Sequence, residues 1–170
     1  LKLSKRILSA IATSLISNSQ AGFANRFRSL KSHFKVVYNG LDFSRFAVDS
    51  THAATVRAEL GIPTGAPVIG MVATLTAYKD HETLFAAMPC VLKAHPGPAF
   101  VFVGDGPRRE ALQHIAAEHG VSDSVHFLGF RNDVDALYRM FDACVLLTNS
   151  DNIVEGLPNC LIEAQASGVP

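Results

Sequence analysis

Apolar residues run through this chain in two rhythms. From residue 67 onward, short near-continuous apolar runs alternate with longer stretches in which apolar positions recur every three or four residues. The runs are Val68-Ile69-Gly70-Met71-Val72, Ala99-Phe100-Val101-Phe102-Val103, residues 124–128, and Ala143-Cys144-Val145-Leu146-Leu147. An uninterrupted apolar strand is one buried on both faces, the habit of parallel sheets. Residues 81–94, 108–119, 133–141 and 158–167 carry helical spacing, and Leu84, Phe85, Met88, Val91 and Leu92 form one stripe of the first. Pro89 inside that stripe predicts a kink or a break. Upstream, residues 51–60 read as a helix stopped by Gly61 and Pro63, and residues 34–38 as a strand stopped by Asn39-Gly40. Residues 23–30 read as a helix, and residues 1–15 as an amphipathic helix leading into a short strand at about 13–17. Strand–helix alternation predicts an α/β, Rossmann-like parallel sheet with helices on both faces. In such a sheet, ligands bind beyond the carboxyl ends of the strands. The loops at those ends are residues 75–80, 104–107, 129–132 and 148–157.

Composition narrows the function classes. With 170 residues, 48% hydrophobic and 18% charged, the chain can bury a substantial core. Its formal net charge of zero gives no general attraction to nucleic acid or anionic lipid. Cys90, Cys144 and Cys160 lack metal-ligand spacing and read as reduced, buried thiols of a cytosolic protein. The basic and then apolar start is interrupted by Ser9, Thr13 and Ser14, and is too short to span a bilayer. A first residue other than Met suggests a piece of a longer chain.

The candidate chemistry gathers in the four loops. Glu155 precedes the last helix and Glu163 lies inside it, with Pro158 at its first turn, where a missing N–H costs nothing. Gly156 allows close backbone approach, and a helix N-terminus suits phosphate. Taken singly, the two acids fit a solvated loop and helix as well as they fit sugar hydroxyls. Lys79 stands after the first sheet strand, where a cation meets a diphosphate or only water. Asp80 is expected to cap the following helix and His81 to sit on its surface. Gly104-Asp105-Gly106-Pro107 is a glycine turn in which Gly104 gives room for a ligand, with Arg108 directed to phosphate or solvent alike. Backbone groups at Phe130-Arg131 are placed to meet the edge of a base, and Asp133 to cap a helix. Asp42 and Arg45 lie in a polar segment beside an expected hinge. No histidine stands where it would activate a Ser or Cys nucleophile.

Five segments, in order, resemble the donor-binding, C-terminal half of the GT-B retaining glycosyltransferases of family GT4. They are Tyr38-Asn39-Gly40-Leu41-Asp42 with Phe46; Val72-Ala73-Thr74-Leu75 to Lys79-Asp80; Val103-Gly104-Asp105-Gly106-Pro107; Val125-His126-Phe127-Leu128-Gly129; and Glu155-Gly156-Leu157-Pro158-Asn159 to Glu163-Ala164. The last matches the family's paired-glutamate motif, with seven residues between the acids.

The resemblance implies that Glu155 holds the donor sugar's hydroxyls, Glu163 the ribose and Lys79 the diphosphate. It implies that the backbone around Gly156, Leu157, Pro158 and Asn159 binds sugar and pyrophosphate, through the N–H groups of all but the proline, and that Phe130 and Arg131 contact the base. Thr74 replaces an arginine that many members use on the diphosphate. A UDP-, GDP- or ADP-sugar is the implied donor, and a glycan or lipid-linked acceptor belongs to a missing N-terminal domain. No metal and no other cofactor are expected, nor any nucleic acid. On this reading residues 1–35 are the tail of the acceptor domain and the crossover, and residues 36–170 are a donor domain truncated at its C-terminus. The expected location is cytoplasmic, with peripheral contact at the inner membrane face left open, and the setting polysaccharide biosynthesis. A nucleotide-sugar epimerase of the same fold and a non-catalytic sugar-nucleotide-binding module are the alternatives.

Overall fold

A computed structural model describes residues 13–21, 34–47, 49–149 and 155–170. The expected helices at 1–15 and 23–30 lie largely or wholly outside the described residues. Two short strands, β1 (Leu15–Ser17) and β2 (Phe34–Val36), pair in parallel as a sheet of their own. Among the described residues the main sheet has four parallel strands, β3 (Val68–Val72), β4 (Ala99–Val103), β5 (Val125–Gly129) and β6 (Ala143–Cys144), in the order β5-β4-β3-β6. Helices α1 (Thr51–Glu59), α2 (His81–Ala94), α3 (Arg109–Glu118), α4 (Val134–Leu137) and α5 (Asn159–Ala166) connect and cover them.

The period of two along a strand splits the core into two layers. Val68, Ala99, Val101 and Val103 face a cluster with Ala53 and Val56 of α1, Leu137 of α4 and Ala164 of α5. Met71, Phe100 and Phe102 face the other side, with Phe85 and Met88 of α2 and Leu112 and Ala116 of α3. Gly70 falls on the first face beneath the ring of Phe141, where a Cβ would stand 2.3 Å from a ring carbon. Among the described residues, fifteen buried apolar side chains gather in the first cluster and nine in the second, so the sheet is covered on both faces, as its near-continuous apolar runs require.

Several boundaries differ from the sequence reading. β6 keeps only two ladder residues of the expected 143–147, because the chain leaves the ladder after the bond from the Val145 N–H to the Gly70 carbonyl (2.9 Å) and turns into the site loop. β2 stops at Val36 rather than residue 38. Residues 133–141 make one turn of α-helix and then a 3-10 turn, Tyr138–Met140. Pro89 neither breaks α2 nor ends it, and the helix continues to Ala94. Cys144 is buried but Cys90 is exposed, so the expectation of buried thiols fails at Cys90.

Candidate functional site

The carboxyl edge of the main sheet is fastened by backbone bonds between its loops. The Gly104 N–H donates to the Gly129 carbonyl (2.8 Å), and Leu75 donates to Asp105 (3.1 Å). The Arg108 N–H donates back to Leu75 (3.1 Å). The Asn149 N–H donates to the Tyr78 carbonyl (2.9 Å), tying the loop after β6 to the loop after β3. Gly104, at φ +140°, could bear no side chain, since a Cβ would lie 2.0 Å from the Ala73 carbonyl oxygen. The close approach expected there for a ligand is therefore made to the neighbouring strand's own backbone.

Lys79 and Glu155, read separately in the sequence, are partners. Lys79 Nζ donates to Glu155 Oε2 at 2.7 Å, and the Thr148 hydroxyl donates to the same oxygen at 2.7 Å. The Lys79 side chain is 16% exposed and that of Glu155 34%. Burial pushes the Glu155 carboxyl up, but the bonds from Lys79 and Thr148 outweigh it and hold the group below its ordinary value. The acid is thus ionised and the lysine ammonium keeps two further donors.

Glu155 is followed by a cramped stretch. A Cβ on Gly156 would stand 3.0 Å from Asn18 Oδ1 and 3.1 Å from Ser19 Oγ, so the segment after β1 packs against this loop. Pro158 is extended (φ −74°, ψ 116°) and stands just outside the helix rather than in its first turn. Its carbonyl accepts from the Ile162 N–H at 3.4 Å, which leaves the first amides of α5 facing the loop. Asn159 Oδ1 accepts from Asn39 Nδ2 at 2.5 Å, so the Asn39-Gly40 turn buttresses this helix start. One and a half turns on, Glu163 Oε2 accepts the Tyr138 hydroxyl at 3.0 Å. Burial, and then the Glu163 charge, push the Tyr138 phenol far above its usual range, which keeps it a donor.

The loop after β5 presents Phe130 with 76% of its surface exposed. Arg131 does not reach outward. Its Nε and Nη2 grip Asp133 at 2.8 and 2.5 Å, and His52 Nε2 shares Asp133 Oδ2 at 2.6 Å. Asp133 therefore braces the loop instead of capping α4, whose first amides it does not bond through its side chain. Asp80 likewise leaves the amides of α2 alone and takes the Thr83 hydroxyl at 2.9 Å. Its φ of +29° is the one positive value at a described non-glycine residue, a strained turn of the kind that persists beside functional sites. Arg108 pairs with Glu82 on α2. Asp42 caps a 3-10 turn through Ser44, and Arg45 lies 3.7 Å from Asp135.

His81 reverses the surface expectation. It is 2% exposed, packs on the Phe102 ring at 5.9 Å, and its Nδ1 finds no partner among the described residues. Burial pulls it down to about 4, with Lys79 and Arg108 working the same way against the opposing pull of Asp80. Thr148 and Tyr138 are the residues that the sequence reading missed. Both are polar groups at the edge of apolar runs, and a polar residue closing a strand run is the signal that marks Thr148. The arrangement as a whole offers a cation, an ionised acid, a helix N-terminus and a second acid along one sheet edge. That set suits a ligand with a diphosphate and several hydroxyl groups.

Residues 53–170 match the profile of the family described as glycosyl transferases group 1. The chain belongs to that family. Among its group 1 relatives, a GDP-mannose-dependent monoacylated alpha-(1-6)-phosphatidylinositol monomannoside mannosyltransferase of Corynebacterium glutamicum is 34% identical over 85% of this chain and 40% of its own length. The D-inositol 3-phosphate glycosyltransferase of Corynebacterium kroppenstedtii is 30% identical over 94% of this chain and 37% of its own. The chain thus spans less than half the length of these curated relatives. The crystal structure of Anabaena HepE in complex with UDP-glucose superposes with a TM-score of 0.85 at 24% identity, covering 99% of this chain and 48% of that one. WaaG, a glycosyltransferase involved in lipopolysaccharide biosynthesis, superposes with a TM-score of 0.71 at 20% identity, over 92% and 43%. The structural likeness carries the fold and the sequence match carries the family, and neither favours the epimerase alternative.

Proposed function

We propose that the complete protein transfers a sugar, with retention of configuration, from a nucleoside diphosphate sugar to a glycan or lipid-linked acceptor. This chain supplies the donor side. The observation that carries the reading is the Lys79–Glu155 pair set before the N-terminus of α5, a cation and an acid at the carboxyl edge of a parallel sheet. Lys79 and the backbone N–H groups of Gly156, Leu157 and Asn159 neutralise the leaving diphosphate, a burden increased by Thr74 at the place of the usual arginine. Glu155 takes the sugar hydroxyls. Glu163, steadied by Tyr138, takes the ribose. The base lies against Phe130 and the backbone of the loop that Arg131 and Asp133 brace, and Gly104 floors the site. No metal enters this scheme, because Lys79 and the helix end oppose the phosphate charge. In this scheme residues 1–35 go with the acceptor half and its crossover, and residues 36–170 with the donor half. The setting is polysaccharide or lipid-linked glycan synthesis at the cytoplasmic face of a membrane. Among the described residues, no helix is long and apolar enough to cross one.

A thermal-shift screen of the complete protein with UDP, GDP, ADP and their sugars tests the reading. One nucleotide family is expected to raise the midpoint, and Glu163→Ala to weaken that nucleotide about tenfold by calorimetry, the loss of a charge-assisted bond. Binding left unchanged in Glu163→Ala counts against the ribose role.

A further inference from the structure

Thr148 has no part in the scheme above, yet its hydroxyl shares one carboxylate oxygen with the lysine meant for the phosphate. Both Lys79 Nζ and Thr148 Oγ1 donate to Glu155 Oε2, each at 2.7 Å. Oε1 takes no hydrogen bond among the described residues, and about a third of the side chain is open to solvent. The acid is held by one oxygen and presented by the other. Its two holders differ in what a ligand does to them. An incoming diphosphate draws the Lys79 ammonium toward its own oxygens, which bear more charge than one carboxylate. A neutral hydroxyl feels no such pull. Thr148 is also fixed from behind, because the next residue donates its N–H to the Tyr78 carbonyl at 2.9 Å and so anchors the loop to that of Lys79.

We propose that Thr148 is a positioning residue for the donor sugar. When the diphosphate recruits Lys79, the Thr148 hydroxyl keeps Glu155 in place with Oε1 facing the sugar. The lysine pair therefore presets the acid in the empty site, and the threonine preserves its position in the filled one. The proposal rests on the donor-site reading of Glu155 and Lys79.

The test compares the complete protein with its Thr148→Val and Thr148→Ser variants by titration calorimetry. The probes are UDP with UDP-glucose and UDP-N-acetylglucosamine, GDP with GDP-mannose, and ADP with ADP-glucose. The unmodified protein is expected to bind one sugar nucleotide more tightly than its bare nucleoside diphosphate. Valine keeps the shape and removes the donor, so Thr148→Val is expected to lose that margin, about tenfold, while binding the bare diphosphate as before. Thr148→Ser is expected to keep the margin. Equal loss for both ligands marks a merely structural residue and overturns the proposal, as does a margin intact in Thr148→Val or absent from the unmodified protein. Failure of the unmodified protein to bind any nucleotide overturns the donor-site reading and this proposal with it. A margin intact in Thr148→Val leaves the donor-site reading standing.

Discussion

Acidification offers a sharp measure of the buried imidazole at the start of α2. His81 is 2% exposed and held near 4, against 6.5 for a free imidazole, chiefly by burial. Between those values the unfolded chain takes a proton that the folded chain refuses, so stability falls as pH falls from about 7 toward 4. At pH 5 the unfolded imidazole is nearly all protonated and the folded one about a tenth so, a difference of about 2 kcal/mol. For a chain of this size that is about 4–8 °C of melting temperature. His126, also lowered by burial, adds to the fall in the same direction. Glu155, held below its ordinary 4.5, loses its contribution only under that value, outside the window. Thermal unfolding of the complete protein at pH 7.5 and 5.0, beside His81→Gln, isolates the effect. The variant is expected to start less stable and to lose about 2 kcal/mol less than the wild type over the interval. Equal losses in the two proteins would refute the argument, as would an NMR titration of the His81 ring with a midpoint at 6 or above.

Other outcomes follow from single contacts. Tyr138→Phe removes the donor to Glu163 and is expected to cost about 1–3 kcal/mol in denaturant unfolding, with weaker nucleotide binding in calorimetry. Gly70→Ala drives a methyl into the Phe141 ring and is expected to cost about 1–3 kcal/mol, a loss that Phe141→Leu in the same chain reduces. Native labelling with a thiol reagent is expected to modify Cys90 first, because Cys144 is buried and its thiol is pushed up to about 12. Transfer by the complete protein is expected to survive EDTA, and a loss restored by divalent metal would overturn the metal-free scheme.

The sheet was legible because its strands are near-continuous apolar runs separated by stretches of helical spacing, the alternation that a covered parallel sheet produces. Loop positions of Lys79, Gly104 and Glu155 followed from that alone. Pairings across the loops were not legible, since they depend on which strands lie side by side. The order β5-β4-β3-β6 sets the end of β6 beside the end of β3, and this is what brings Glu155 to Lys79 across a separation of 76 residues. His81 was misread for a related reason. Its polar type suggested solvent, yet its place one turn before Phe85 on the apolar stripe sets it against Phe102. Asp80 and Asp133 were read as caps from type and position, but nearer hydroxyl, guanidinium and imidazole donors claimed them.

β4 supplies side chains to both apolar layers, with Ala99, Val101 and Val103 on one and Phe100 and Phe102 on the other. Its amides also lie between two neighbouring strands. Releasing any of them to deuterium requires both layers to come apart, so this strand is expected to be the slowest-exchanging element of the chain. Lys79, Glu155 and Thr148, by contrast, are joined by side-chain hydrogen bonds at the carboxyl edge of the sheet, outside either layer. Lys79 can therefore change partners at the edge while both layers stay closed, with no part of the scaffold unfolding.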